Sequence, residues 1–218
     1  MLRDFQTLLS SVYAIDQTLD VYDYLVTDAS ILAAWETPGT ARPTQEKLLI
    51  REDDDELRML LFLDAGLLER LSASDPRRRL GRANLADFCT VLEGISHLIY
   101  LAWNAAADKS VTLMELEMQA EVDKYIGARA LLQDQPDSRL GESLFARLFD
   151  EPAYDANLSS HEFARYRDAS LFAGRYCRSL EKRFQTAHFG LDMIRELREF
   201  YRLPQAAKVS HIQSVFFA

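Results

Sequence analysis

Glycine and proline are scarce, at 8 and 6 of 218 residues, and these are the residues that turns consume. Their scarcity argues against a fold of many short strands and for long helices. Cysteine is rarer still. Cys89 and Cys177 each sit in an apolar helical pattern, with no second cysteine or histidine at ligand spacing. That leaves no framework for disulfides or a paired-cysteine metal site, so both are read as buried free thiols.

Four histidines, His97, His161, His188 and His211, are too few for a histidine-rich centre. His-Glu-x-x-His, a glycine-rich phosphate loop and a nucleophile elbow are all missing. No metal and no cofactor is expected on these grounds. The N-terminal Met1-Leu2-Arg3-Asp4-Phe5 lacks the apolar core of a signal peptide. The most apolar stretch, Leu98 to Ala107, is short for a bilayer and carries Asn104. The expectation is a cytoplasmic chain without a membrane segment. A net charge of −9 disfavours nucleic acid, which is bound chiefly by neutralising phosphates, and suits a basic partner surface.

What is present is a chain able to bury roughly 70% of its unfolded surface unaided, with helical periodicity along most of its length. Residues 1–45 read as two or three short helices, capped at Asp16, Asp20 and Asp28, followed by a loop over 37–44. Lys47 to Leu63 carries two short apolar runs around Glu52-Asp53-Asp54-Asp55-Glu56. Acidic clusters of this kind suit a turn, so the segment is read as a β-hairpin, with a helix capped at Asp53 as the alternative. Asp64 then caps a short helix, making 46–72 one subregion. Ser72 to Arg82 is a loop with a basic run, Arg77-Arg78-Arg79, expected to be exposed and flexible.

Residues 84–203 form the predicted helical core. Asn84 begins a helix to about Ala107, and the capping box Thr112/Glu115 begins another to about Gln133. Their short connection makes them an antiparallel hairpin. Ser138 starts a helix through Leu148. The capping box Ser159/Glu162 opens one through about Gln185, and Gly190 precedes one through Tyr201. The tail 204–218 is apolar. The fold class is mainly α: one domain over 1–218, an irregular helical bundle on the hairpin 84–107/112–133, with a possible small β-hairpin at 47–63.

On the first hairpin helix, Glu93, His97, Tyr100 and Asn104 fall at i, i+4, i+7 and i+11, a polar stripe on a helix covered nearly all round. Buried polar groups need partners. Counting from the connection sets Asn104 near Glu115, Tyr100 near Gln119, and His97 near Glu121 or Val122. Glu93, His97, Tyr100, Asn104, Glu117 and Glu121 are therefore the candidate catalytic residues. The blander reading is a hydrogen-bonded network that fixes the pairing of the two helices. Glu93 and His97 lie four apart, whereas helical di-iron sites pair them three apart. The helix from Ser159 carries six basic residues, among them Arg175 and Arg178 as anion-binding candidates.

These features favour a non-enzymatic interaction or adaptor protein with a protein partner or homo-oligomer, drawing on the apolar tail Ile212-Val215-Phe216-Phe217. An enzyme or metal-binding protein using the polar stripe is the alternative. An anion or phosphorylated-ligand sensor is a third and weaker reading.

Overall fold

A computed structural model of the chain describes residues 1–16, 18–36, 43–53, 56–135, 137–138, 140–141, 143–150, 158–184 and 189–216. It is mainly α with one small sheet. The elements in order are α1 (Leu2–Tyr13), α2 (Val21–Tyr24), β1 (Leu25–Val26), α3 (Ala29–Trp35), β2 (Glu46–Asp53), β3 (Glu56–Leu63) and α4 (Ala65–Ala73). There follow α5 (Leu85–Ala105), α6 (Leu113–Gln133), a π-helical turn (Ala146–Asp150), α7 (Ser160–Phe184), α8 (Leu191–Tyr201) and α9 (Gln205–Phe216).

The expected hairpin forms, with β2 and β3 antiparallel in the register Glu46↔Leu63 through Asp53↔Glu56. A third strand was not foreseen. Two-residue β1 pairs parallel with β3, giving the order β1-β3-β2 and leaving β2 at the edge. One sheet face is covered by α3, through Leu32 against Leu60 and Phe62. The other lies on α5. Gly94 permits that approach, because a Cβ there would stand 2.8 Å from Leu61 Cδ1 and 2.9 Å from Glu46 Cγ.

Side-chain caps stop and start the helices largely as the sequence suggests. Asp20, Asp28, Asp64 and Thr112 accept from backbone N–H groups of Tyr22, Ser30, Leu67 and Glu115. Ser159 and Glu162 form the reciprocal box, Glu162 N–H donating to Ser159 Oγ and Ser159 N–H to Glu162 Oε2. Asn84 departs from expectation. Its side chain makes no helix cap and instead closes the preceding loop, accepting from Gly81 N–H and donating to the carbonyls of Ser74 and Arg79.

Arg77, Arg78 and Arg79 of that loop are exposed as expected, but the loop is anchored at both ends of the run. Leu80 is fully buried, its N–H donates to Gln135, and Arg77 is held by Asp75 and Asp4. The helix expected from Ser138 is also shorter than its apolar spacing implied, being helical only from Leu144. The loop over 37–44 lies mostly outside the described residues, as do Pro136, Gln185 and Phe217.

α5 is the centre of the core, packed by α1, α4, α6 and the sheet. Its length and apolar composition would also suffice to cross a bilayer, further than Leu98–Ala107 alone indicated, and 61% of that apolar window is buried inside the fold. Cys177 is buried and Cys89 half-buried, and neither is bonded to the other. α7 lies on α6 and α9, with Gly174 in the narrow space beside Phe149. The tail, which its composition left open between helix and strand, folds back as α9 with Ile212 buried.

Candidate functional site

The polar stripe on α5 divides into two sites. Tyr100 and Asn104 turn into the bundle. Tyr100 donates to Glu115 Oε1 at 2.5 Å, and Asn104 donates to the Tyr100 carbonyl. The pairings counted from the connection were displaced by one turn: Tyr100, not Asn104, meets Glu115. Gln119 belongs to another group, centred on Asp123.

Asp123 is the hub of that group. It accepts from Tyr13 of α1, from Ser96 of α5 at 2.6 Å and from Gln119 at 2.8 Å. Gln119 Oε1 in turn accepts from Lys208 Nζ of α9 at 2.5 Å, and Lys208 also reaches the Tyr201 carbonyl of α8. Burial pushes the Asp123 carboxyl up to about 6 against its three donors. Burial also pulls the Lys208 ammonium down to about 7, against the nearby Glu115 and Asp123. Every member of the network has a partner, so it acts as a lock between five helices.

Glu93 and His97 turn the other way, into an open pocket of about 940 Å³ between β2, α5, α6 and α7. β2 contributes Glu46, α6 contributes Glu117, Glu121 and Lys124, and α7 contributes Arg165 and Tyr166. The α6 residues lie at i, i+4 and i+7, which places them on one helix face. Glu115, Gln119 and Asp123 occupy the other polar face of α6, and that is how one helix serves both sites.

His97 is 6% exposed. Its Nδ1 lies 3.7 Å from Glu46 Oε1 and its Nε2 lies 3.6 Å from Glu117 Oε2. Both separations are beyond hydrogen-bonding range, and Nε2 and Glu46 Oε1 are buried without a hydrogen-bond partner. Arg165 Nε, 3.9 Å from Glu117 Oε1, is in the same condition. Burial pulls the His97 pKa down, but the carboxylates of Glu117 and Glu46 outweigh it and hold it well above the ordinary imidazole value. Lys124 is better served, donating to Glu93 Oε2 at 3.0 Å and Glu121 Oε1 at 2.5 Å. Burial raises the Glu46 carboxyl, and it also raises that of Glu121, where Lys124 only partly offsets it.

Glu46, Glu93 and His97 each offer one possible ligand atom, and these atoms lie within 4.8 Å of one another. Two donors about 2.1 Å from a shared cation stand about 3.0–3.5 Å apart. His97 Nδ1 and Glu46 Oε1, at 3.7 Å, therefore need only a small adjustment, while the full set with Glu93, spread over up to 4.8 Å, has to draw inward to share an ion. One imidazole and two carboxylates suit a first-row divalent ion such as zinc or manganese. Glu117, on the far nitrogen of His97, stands where an outer-shell carboxylate fixes the tautomer of a metal-binding histidine.

Compared with protein-family models, curated proteins and solved structures, the chain matches none.

Four of the six sequence candidates, Glu93, His97, Glu117 and Glu121, line the pocket, while Tyr100 and Asn104 do not. His97 faces Glu46 and Glu117, not Glu121 or Val122 as the helix count placed it. Sequence reasoning missed Glu46, Lys124 and Tyr166, and counted Arg165 only among the six basic residues of the Ser159 helix, apart from the stripe. One signal was available for Glu46. It alternates with Leu48 and Ile50 along a strand, and an acid on the apolar face of a strand is anomalous. The proposed anion pair is engaged elsewhere. Arg178 binds Glu181 at 2.9 Å and covers the Phe145 ring, and Arg175 lies over Phe216.

Gly94 connects fold to site. A Gly94→Ala methyl would meet the Glu46 side chain, while alanine gains up to about 1 kcal/mol of helix propensity. Because the same methyl would also stand 2.8 Å from the buried Leu61, overpacking of about 1–3 kcal/mol should exceed the propensity gain. The expected outcome is a net loss of up to about 2 kcal/mol of stability, with divalent-cation affinity reduced at least tenfold in the folded protein, measured by titration calorimetry. Unchanged affinity would show that the sheet's approach does not position Glu46.

Proposed function

We propose that this chain is a divalent-metal-dependent hydrolytic enzyme whose active site is the pocket between β2, α5, α6 and α7. The observation that carries the reading is His97: buried, within ion-pair distance of Glu46 and Glu117 yet too far from either to hydrogen-bond, with Nε2 making no hydrogen bond. A histidine serving only to join two helices would be satisfied, because an unmade buried hydrogen bond costs about 1–3 kcal/mol. The Asp123 network shows what satisfaction looks like in this same fold.

In this reading Glu46, Glu93 and His97 hold the ion, and Glu117 orients His97. A bound ion of this type acidifies water and polarises a carbonyl or phosphoryl oxygen. Glu121 faces the pocket with its carboxyl raised by burial, suited to accept a proton from water and pass it to a leaving group. Lys124 holds Glu93 and Glu121 apart from each other's charge, and Arg165 and Tyr166 form the wall that a substrate meets. A cytoplasmic location remains part of the proposal.

The test is calorimetric titration of chelator-treated protein with zinc chloride and manganese chloride, with melting followed in parallel. One ion per chain is expected. At a free concentration of 100 Kd it should add about 2.7 kcal/mol, a rise of about 5–10 °C in Tm. His97→Ala and Glu46→Gln should each weaken binding at least 100-fold. If neither ion binds, the metal reading fails. The interaction-protein reading then leads, although the tail it began from is docked as α9 with Ile212 buried.

A further inference from the structure

We infer that the pocket receives an extended peptide segment, bound as an added strand along the free edge of β2; this rests on the pocket's being the functional site. β2 is the edge of the sheet, with β3 on one side and no described strand on the other. Its hydrogen-bonding phase follows from the register. Asp64 N–H donates to the Gln45 carbonyl at 2.9 Å, and Gln45 and Asp64 continue the series Glu46↔Leu63, Lys47↔Phe62. Antiparallel pairs alternate, so Lys47, Leu49 and Arg51 bond to β3, and Glu46, Leu48 and Ile50 direct their backbone N–H and C=O groups away from it.

Those three outward positions all line the pocket. The Glu46 carbonyl is closed off by the Thr44 hydroxyl, which donates to it at 2.7 Å. Leu48 and Ile50 are therefore the first open rungs, directly beside the Glu46–Glu93–His97 cluster. A peptide strand offers what an edge lacks, a row of complementary N–H and C=O groups. Both apolar and polar side-chain contacts are provided. Ile50 and Leu113, exposed 42% and 59%, are large apolar residues lining this pocket. Glu117, one helical turn from Leu113 on α6, and Arg165 of α7 line the same pocket and offer polar contacts. About 940 Å³ is ample for several residues in extended form.

The alternation supplies a test specific to this geometry. Proline at position 50 removes an N–H that points away from β3, a substitution that edge strands tolerate. A pool of random acetylated hexapeptides would be passed over wild-type protein and over Ile50→Pro, and the retained peptides sequenced and resynthesised with single N-methyl groups. Wild type should enrich peptides that Ile50→Pro binds at least tenfold more weakly. N-methylation should abolish binding at every second peptide residue and be tolerated between. Slowed hydrogen exchange at the amides of Leu48 and Ile50 should accompany binding.

Equal retention by both proteins, no retention by either, or an N-methyl pattern without period two would overturn the inference. Cation titration of Ile50→Pro should match wild type. Loss of peptide with the ion retained belongs to the edge, whereas failure of wild type to bind any ion counts against the enzymatic reading alone.

Discussion

Asp123→Ala is expected to lower the unfolding free energy by about 3–5 kcal/mol at pH 5, read from urea denaturation. The substitution leaves Tyr13, Ser96 and Gln119 without their shared acceptor, and each orphaned buried donor costs about 1–3 kcal/mol. Few single replacements in a chain of this size exceed that. The loss should also depend on pH in a defined direction. Because burial raises the Asp123 carboxyl to about 6, the native state keeps its proton over a range where the unfolded chain has lost it. The carboxyl's contribution is then complete below about pH 4 and declines as pH rises through 6. Between pH 5 and pH 8 the gap separating wild type from Asp123→Ala should narrow by about 1–2 kcal/mol. A gap that widens over that interval would mean that Asp123 is held as an anion and that Lys208 dominates the network.

Tyr201→Ala should cost a similar amount, about 3–5 kcal/mol, by a different route. The Tyr201 ring stacks on Tyr13 at 4.1 Å, meets Tyr100 edge-on at 4.9 Å and lies 5.4 Å from Trp103. Removing it empties the junction of α1, α5 and α8, whereas Tyr201→Phe keeps the ring contacts and should cost under about 1.5 kcal/mol. Tyr13 touches both Asp123 and Tyr201, so the double variant should fall short of additivity by at least about 0.5 kcal/mol. Strict additivity would show that the aromatic stack and the hydrogen-bonded lock are independent. Neither variant touches the pocket directly. Each should therefore bind the divalent ion with near wild-type affinity wherever it remains folded, which separates scaffold from site.

The division between lock and pocket also explains a set of polar residues that otherwise looks wasteful. Helix α6 buries Glu115, Glu117, Gln119 and Asp123, an arrangement that lowers stability unless each is answered. On one face, Tyr100, Tyr13, Ser96 and Lys208 answer them. On the other, His97 and Arg165 stand near Glu117 without closing on it. Strain of this kind, localised to one pocket while its neighbour is satisfied, is where function is expected.

The chain's own order of residues determined most of the helices, because 3.6-residue periodicity and capping are local. Thr112, Ser159, Asp20, Asp28 and Asp64 cap in the structure as their spacing implies, and the acidic cluster at 52–56 marks the hairpin. Composition alone set the class. What local pattern left undecided was every relation that depends on how elements meet. The stripe Glu93–His97–Tyr100–Asn104 is continuous along one helix, yet β2 lies against its first half and α8 near its second, so it serves two purposes. Glu46 reaches His97 from a strand 51 positions earlier in the chain, brought close because Gly94 has no side chain to keep the sheet away. Lys208 finds Gln119 only once α9 folds back. Contacts of such long sequence separation are selected by packing, and packing is a property of the whole fold that no window of sequence contains.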